Sequence, residues 1–180
     1  MFFSSCEHNI QTSIKTVTLL YVGNRSANPK NLFADSIRFE YTQLDKYTQN
    51  VNRIFVSILG KRSMSYTLVK CGSLVYLKPL NETDKSIYIN FKSTESTDLF
   101  FENPQVYLWG GLRFIKEGRL LNENNQYENF YILYGNDIGF FLSDSLYYYF
   151  DKDIHLRQIS DKKGKIVFID KRLIKCTKSY

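Results

Sequence analysis

Short segments of alternating apolar and polar residues recur through most of this chain, separated by turn-forming residues. The clearest is SIYINFK at 86–92, where Ile87, Ile89 and Phe91 alternate with Tyr88 and Asn90. Successive side chains of a strand point to opposite faces, so a period of two is typical of a half-buried strand. Comparable segments follow one another from residue 64, at 64–70, 74–80, 86–92, 99–101, 105–115, 128–135, 138–143, 145–159 and 166–175. This succession predicts a mainly β, antiparallel barrel or sandwich, and we take a barrel over 64–175 as the simplest architecture.

One segment before the barrel changes period. Within 44–59 the apolar residues stand three and four positions apart, at Leu44, Tyr47, Val51, Ile54, Phe55 and Ile58. This spacing is typical of an amphipathic helix. Asp45 near the start suits the helix dipole, and Gly60 follows the end. We therefore predict one N-terminal helix over 44–59, which would cover one end of the barrel.

The first 43 residues carry two further strand-type patterns, at 14–22 and 36–42, with a Gly- and Asn-containing loop at 23–31 between them. We interpret 1–43 as an N-terminal extension or as extra strands. A chain of 180 residues is typically one domain, so we assign 1–180 to a single domain.

The composition limits the classes of function. Aromatic residues make up 16% of the chain, with 14 Tyr and 14 Phe, which favours strands. The net charge of +6 favours anionic partners. The three widely spaced cysteines (Cys6, Cys71, Cys176) form neither a disulfide framework nor a zinc pattern, which favours a reducing compartment. No signal peptide or apolar run long enough for a membrane span is evident, so we expect a soluble, intracellular protein.

Known catalytic and cofactor motifs are missing from the sequence. It contains no GxGxxG, no GxxxxGK[ST], no HExxH and no GxSxG. With only His8 and His155 present, a histidine-based metal site is not expected. We assign no catalytic residue, no metal and no required cofactor, and whether the protein is an enzyme stays open.

The strongest candidate site is SLYYYFDKDIHLRQI at 145–159. If 154–159 is a strand, His155 and Arg157 share one face and Ile154 and Leu156 take the other. Facing inward, Arg157 would clamp a ligand carboxylate, and His155 would bind a ligand or transfer a proton. Facing outward, Arg157 would pair with Asp or Glu on the next strand. Trp109, the only tryptophan, would either stack on a flat ligand or belong to the core.

Several segments, in order, resemble the S-type phycobiliprotein chromophore lyases. They are the predicted helix ending at Gly60-Lys61 with a strand containing Thr67 after it, EGRLLNENNQYE at 117–128, YYYFDKDIHLRQIS at 147–160, and the basic final strand IVFIDKRLIK. The chain departs from the family at two points. Arg62 stands where the family has Trp, and His155 replaces one of two motif arginines, leaving Arg157.

The resemblance implies a lipocalin-like barrel that binds a linear tetrapyrrole (a bilin such as phycoerythrobilin or phycocyanobilin) and delivers it to a cysteine of an apo-phycobiliprotein subunit. Arg157 would hold a propionate, His155 a second propionate or a pyrrole nitrogen, and Trp109 or Tyr148 would pack on the rings. The acceptor supplies the nucleophile, so the lyase acts by orienting its ligand. It also implies the plastid stroma or a cyanobacterial-type cytoplasm, with the protein a monomer or homodimer.

An alternative reading needs no chemistry. The segment from Asp161 to Tyr180 holds seven Lys and Arg residues against two Asp, and exposed aromatics accompany it. A basic, aromatic-rich β surface of this kind binds nucleic acid or an acidic protein. The simpler interpretation is that these cations are the solvated face of the last strand.

Overall fold

A computed structural model describes residues 13–22, 34–57, 60–79, 86–93, 97–101, 108–121, 126–136 and 146–173. These residues form twelve strands: β1 (Ile14–Tyr21), β2 (Ser36–Gln43), β3 (Thr48–Ser57), β4 (Gly60–Cys71), β5 (Leu74–Pro79), β6 (Ser86–Asn90), β7 (Thr97–Phe101), β8 (Leu108–Leu121), β9 (Tyr127–Asn136), β10 (Leu146–Phe150), β11 (Leu156–Ser160) and β12 (Ile166–Asp170). The described residues contain no helix, and therefore none that could cross a membrane.

All strand pairs are antiparallel, in the order β6-β5-β4-β3-β2-β1-β12-β11-β10-β9-β8-β7. The two outer strands, β6 and β7, contact each other, so the sheet curls into a nearly closed barrel. Phe91, just after β6, packs 4.3 Å from the ring of Tyr131 on β9 and 5.5 Å from that of Phe114 on β8. The predicted mainly β, antiparallel barrel is confirmed.

The barrel interior is filled by inward-facing side chains from almost every strand. Val17, Phe39, Val51, Tyr66 and Leu77 are buried on five neighbouring strands and belong to one core cluster. Tyr88 on β6 meets Phe150 on β10 across the barrel, with ring centroids 6.3 Å apart. Burial of this apolar face is the main source of stability for such a sheet.

The helix predicted over 44–59 is wrong, because residues 48–57 form strand β3 and residues 44–47 a turn (58 and 59 lie outside the described residues). In β3 the buried positions are Gln49, Val51, Arg53 and Phe55. Two of these four inward positions, Gln49 and Arg53, are polar. The sequence of β3 therefore does not show the alternation of apolar and polar residues that marks a half-buried strand. The predicted strands at 14–22 and 36–42 correspond to β1 and β2.

The two ends of the barrel differ. We call one end the mouth; it carries the β2–β3 turn at 44–47 and the β10–β11 connection at 151–155, which we call the mouth loop. The mouth loop reaches across to two strands: Gln49 Nε2 donates to the Asp153 carbonyl (3.1 Å) and Lys70 Nζ to the Lys152 carbonyl (3.3 Å). The β11–β12 turn at 161–165 lies at the opposite end, because adjacent antiparallel turns alternate between ends.

Candidate functional site

The mouth loop is built around the Asp151 carboxylate. Its Oδ1 accepts the backbone N–H groups of Asp153 (3.0 Å) and His155 (2.9 Å), while the Ile154 N–H bonds the Asp151 carbonyl at 3.0 Å. These bonds force Ile154 to a φ of 64°, which a β-branched residue rarely adopts. Ile154 is nevertheless 2% exposed, so its side chain is held in the barrel end despite the strained backbone.

Three cationic or ionisable side chains converge on the other oxygen of the same carboxylate. Asp151 Oδ2 lies 3.1 Å from His155 Nδ1, 3.2 Å from Arg157 Nη1 and 3.6 Å from Lys15 Nζ. Burial alone would raise the pKa of Asp151, but the hydrogen bonds and charge of His155 and the charge of Lys15 outweigh it and hold that pKa well below the usual range. Asp151 is therefore a buried carboxylate that stays ionised.

Arg157 is directed by an irregularity in its strand. Tyr149 pairs with Gln158 and Phe150 with Leu156, so Arg157 is the extra residue of a β-bulge. Its Nε donates to Asp170 Oδ2 at 2.7 Å, and its Nη1 lies 3.9 Å from Glu128 Oε2 in addition to its bond with Asp151. Three carboxylates from three different segments thus surround one guanidinium.

Asp170, at the end of β12, is fully buried and joins two arginines. Besides Arg157, Arg172 Nη2 donates to its Oδ2 at 2.8 Å. Burial works to raise the pKa of Asp170, yet the bonds from Arg172 and the charge of Arg157 lower it overall. The network therefore ties the ends of β10, β11 and β12 together.

His155 closes the loop and contacts side chains from two other strands, β1 and β2. Its ring meets Tyr41 edge to face at 4.3 Å, and its Nδ1 lies 3.0 Å from Lys15 Nζ. The Leu156 N–H donates to the Tyr41 hydroxyl at 3.0 Å. Because Lys15 and Asp151 meet the same ring nitrogen, the three do not form a proton relay, which would need one partner on each nitrogen.

The predicted site residues end up in different places. His155 and Arg157 are brought together through Asp151, although His155 belongs to the loop rather than to β11. Tyr148 is buried in the core on β10. Trp109 lies in β8 opposite Phe100, and its side chain is outside the described residues. The ligand-binding roles proposed for these four residues stay predictions.

A different arginine occupies the barrel interior. Arg53 on β3 is 1% exposed, its Nη2 donates to the Tyr66 hydroxyl at 2.9 Å, and its guanidinium carbon lies 4.9 Å from the centroid of the Phe39 ring. Cation–π contact of this kind offsets part of the cost of burying the charge. The sequence suggested Arg157 as a possible inward-facing cation, whereas the arginine that packs among interior aromatics is Arg53. Its signal was concealed by the helical reading of 44–59.

A cavity of about 500 Å³ opens beside the mouth loop; we call it the mouth cavity. Its apolar lining comes from Tyr47, Leu68, Val75 and Ile154. Small-molecule sites typically have volumes of about 300–1,000 Å³ and a largely apolar lining with a few polar groups. The size of the mouth cavity therefore suits a small organic ligand, which would meet both apolar and polar side chains there.

The polar lining of the mouth cavity is more cationic than anionic. Lys46, Lys70 and Lys152 line it against Asp45 and Asp153. The Asp45 carboxylate already accepts the N–H groups of Tyr47 (2.7 Å) and Thr48 (2.9 Å), which together with other local bonds lower its pKa. With three lysines against two aspartates, the lining of the mouth cavity favours an anionic ligand group over a cationic one.

A second cavity of about 410 Å³, the side cavity, also borders the mouth loop. Its lining includes Lys15, Glu128 and Arg157, and it shares Lys152 and Asp153 with the mouth cavity. The mouth loop therefore borders both cavities.

Asp151, Asp153 and His155 bring three metal-ligand atoms within 4.8 Å of one another. Lys15 and Arg157 already face the Asp151 carboxylate, however, and two positive charges at this distance oppose the binding of a divalent cation. The arrangement is better explained as an ion-pair network than as a metal centre.

Comparison of the chain with known protein families, with characterised proteins and with solved structures gives no match.

Proposed function

We propose that this protein binds an anionic, flat, largely apolar small molecule in its mouth cavity. The observation that carries the proposal is the cavity itself, about 500 Å³, whose lining combines apolar side chains with three lysines. Contact with the apolar side chains would contribute to the binding free energy, while Lys46 and Lys70 favour a carboxylate. The net charge of +6 adds long-range attraction for an anion.

A linear tetrapyrrole is the ligand that we propose within this class. The support is the resemblance of 117–128, 147–160 and 166–175 to the S-type phycobiliprotein lyases, together with the antiparallel barrel that such a lipocalin-like protein requires. The helix that formed part of this resemblance is strand β3 and gives no support. A bilin is a flat chain of four rings with two propionates, which matches a cavity that offers both apolar side chains and lysines. The anchors differ from those expected from the sequence, because Arg157 is already balanced by Asp151, Asp170 and Glu128.

The reaction that follows from this proposal is delivery of the bilin to a cysteine of an apo-phycobiliprotein subunit. The acceptor thiol adds across a double bond of the bilin, forming one carbon–sulfur bond while the thiol proton passes to the bilin. This addition needs no oxidant and releases no leaving group. The barrel would contribute by holding the bilin in one orientation with its reactive end outside, which lowers the entropic barrier.

The proposal is tested by titrating the pure protein with phycocyanobilin and following the bilin absorption band. We expect a red-shifted, structured band at micromolar protein. The double variant Lys46→Ala/Lys70→Ala should bind about tenfold more weakly, since it loses two charge-assisted contacts. Lys163→Ala is the matched control, because Lys163 is exposed in the turn at the opposite end of the barrel.

An unchanged bilin spectrum with the wild-type protein would refute the proposal. If Lys163→Ala weakened binding as much as the double variant, the mouth would not be the binding site. That result would favour the alternative that the protein binds partners through a general basic surface. Transfer is tested separately by adding an apo-phycobiliprotein subunit and looking for covalently attached bilin under denaturing conditions. A subunit with its acceptor Cys replaced by Ser should stay uncoloured.

A further inference from the structure

We propose that the mouth loop is a gate: when it opens, the mouth cavity and the side cavity join into one site for a linear, anionic ligand longer than either. The proposal rests on the proposed function for the identity of the ligand. Its structural basis is that Lys152 and Asp153 line both cavities. Both shared residues belong to the mouth loop, so movement of residues 151–155 is the change that we propose joins the cavities.

Bonds to Asp151 shape the mouth loop internally, whereas side chains from distant strands join it to the rest of the barrel. Gln49 on β3 and Lys70 on β4 donate to its carbonyls, and Lys15 on β1 reaches Asp151 and His155 from the third side. Within the loop, Lys152 and Asp153 are exposed. A segment fixed by a few long side chains rather than by a strand ladder can open without unfolding the sheet.

The closed loop also opposes its own backbone preference. Ile154 is buried but has a φ of 64°, an unfavourable conformation for a β-branched residue. Opening would release this strain while exposing the apolar side chain, so the two effects partly cancel. Such a balance keeps the open state within reach of a modest change in contacts.

Lys15 is the contact that an anionic ligand is best placed to change. Its side chain is 40% exposed, lines the side cavity and lies 3.6 Å from Asp151 Oδ2. A ligand carboxylate in the side cavity would compete with Asp151 for this ammonium group. Asp151 would keep its bond to Arg157, which Asp170 also holds, so the ends of the strands would stay joined.

Residue-resolved amide hydrogen exchange tests the gate without any ligand. The amides of Asp153, Ile154 and His155 report on the loop, because each donates to Asp151 in the closed form. Amides of the central strand β2 report on global unfolding. We expect the loop amides to exchange faster than those of β2, and Lys15→Met to accelerate the loop about fivefold, as loss of one partly exposed ion pair would.

Lys163→Met at the opposite end is the matched control and should leave loop exchange unchanged. The gate would be overturned if the loop amides of the wild type exchanged as slowly as those of β2. It would also be overturned if the loop amides of Lys15→Met exchanged at the wild-type rate. A second arm measures the association rate of phycocyanobilin, which Lys15→Met should raise. If bilin fails to bind while loop exchange responds as described, the gate is supported and the proposed ligand is refuted. If bilin binds while loop exchange does not respond, the gate alone is refuted.

Discussion

At the scale of single residues, Asp151 is the centre of the site. It fixes the backbone of the mouth loop with one oxygen and meets Lys15, His155 and Arg157 with the other. No feature of the sequence marks this aspartate above its neighbour Asp153, since both stand in a short acidic turn. What distinguishes them is burial, because Asp151 is buried and Asp153 is exposed.

The low pKa values of Asp151 and Asp170 predict that acid destabilises the fold. Both groups are ionised in the folded state at a pH where the unfolded chain takes up protons, so the unfolded state binds more protons there. Their stabilising contribution is present above the ordinary carboxyl pKa of about 4 and is lost progressively as the pH falls toward their lowered values. We expect urea denaturation to show a free energy of unfolding that decreases as the pH falls below about 5.

Asp151→Asn should cost about 2 kcal/mol at pH 7, because Arg157 and Lys15 lose a buried counterion while Arg157 keeps Asp170. Its stability should also depend less steeply on pH than that of the wild type. Asp153→Asn, one of the exposed residues of the same loop, is the control and should follow the wild-type curve. Equal pH slopes for wild type and Asp151→Asn would show that the network does not stabilise the fold in this way.

The sequence identified His155 and Arg157 as a pair, and the structure does bring them together. The sequence could not identify Asp151 as the residue that joins them, because an argument from alternation assumes a regular strand. The loop ends at His155, and the bulge at Arg157 breaks the alternation two residues later. Bulges and positive-φ residues such as Ile154 produce no pattern in hydrophobicity. The periodicity of the sequence therefore could not predict the geometry of the site.

At the scale of elements, β3 shows where pattern reading fails. Its inward positions 49, 51, 53 and 55 include Gln and Arg, while apolar Ile54 and Val56 occupy outward positions. The inward Val51 and Phe55 and the outward Ile54 together match helical spacing. Strands with a plain alternation, such as β2, were predicted close to their observed limits. Inward polar residues are thus the specific reason for the error.

Strand β3 provides its own test through Arg53. Arg53→Ala should destabilise the protein by about 3 kcal/mol, because it leaves a large cavity in a packed interior. Arg53→Met removes the charge but keeps most of the volume, so its cost should be below about 1.5 kcal/mol. Chemical denaturation of both variants makes the comparison. A neutral Arg53→Ala would indicate an outward, solvated side chain, which is what the discarded helix would have allowed.

At the scale of the whole molecule, the twelve antiparallel strands of the described residues have two ends that differ in their polar contacts. The mouth gathers the two cavities, the buried ion-pair network and the strained loop, whereas the turn at 161–165 exposes Lys162, Lys163 and Lys165. The antiparallel barrel followed from strand spacing and composition. The concentration of polar contacts at one end followed only from the register, which brings together residues as distant in the chain as Lys15 and His155, 140 positions apart.

The most direct test of the account is a map of phycocyanobilin contacts by heteronuclear NMR. Backbone amides of the mouth, including Tyr47, Lys70 and Ile154, should shift on addition of the bilin, while those of 161–165 should not move. Shifts concentrated in 161–165, or no shifts anywhere at saturating bilin, would contradict the assignment of the mouth as the binding site.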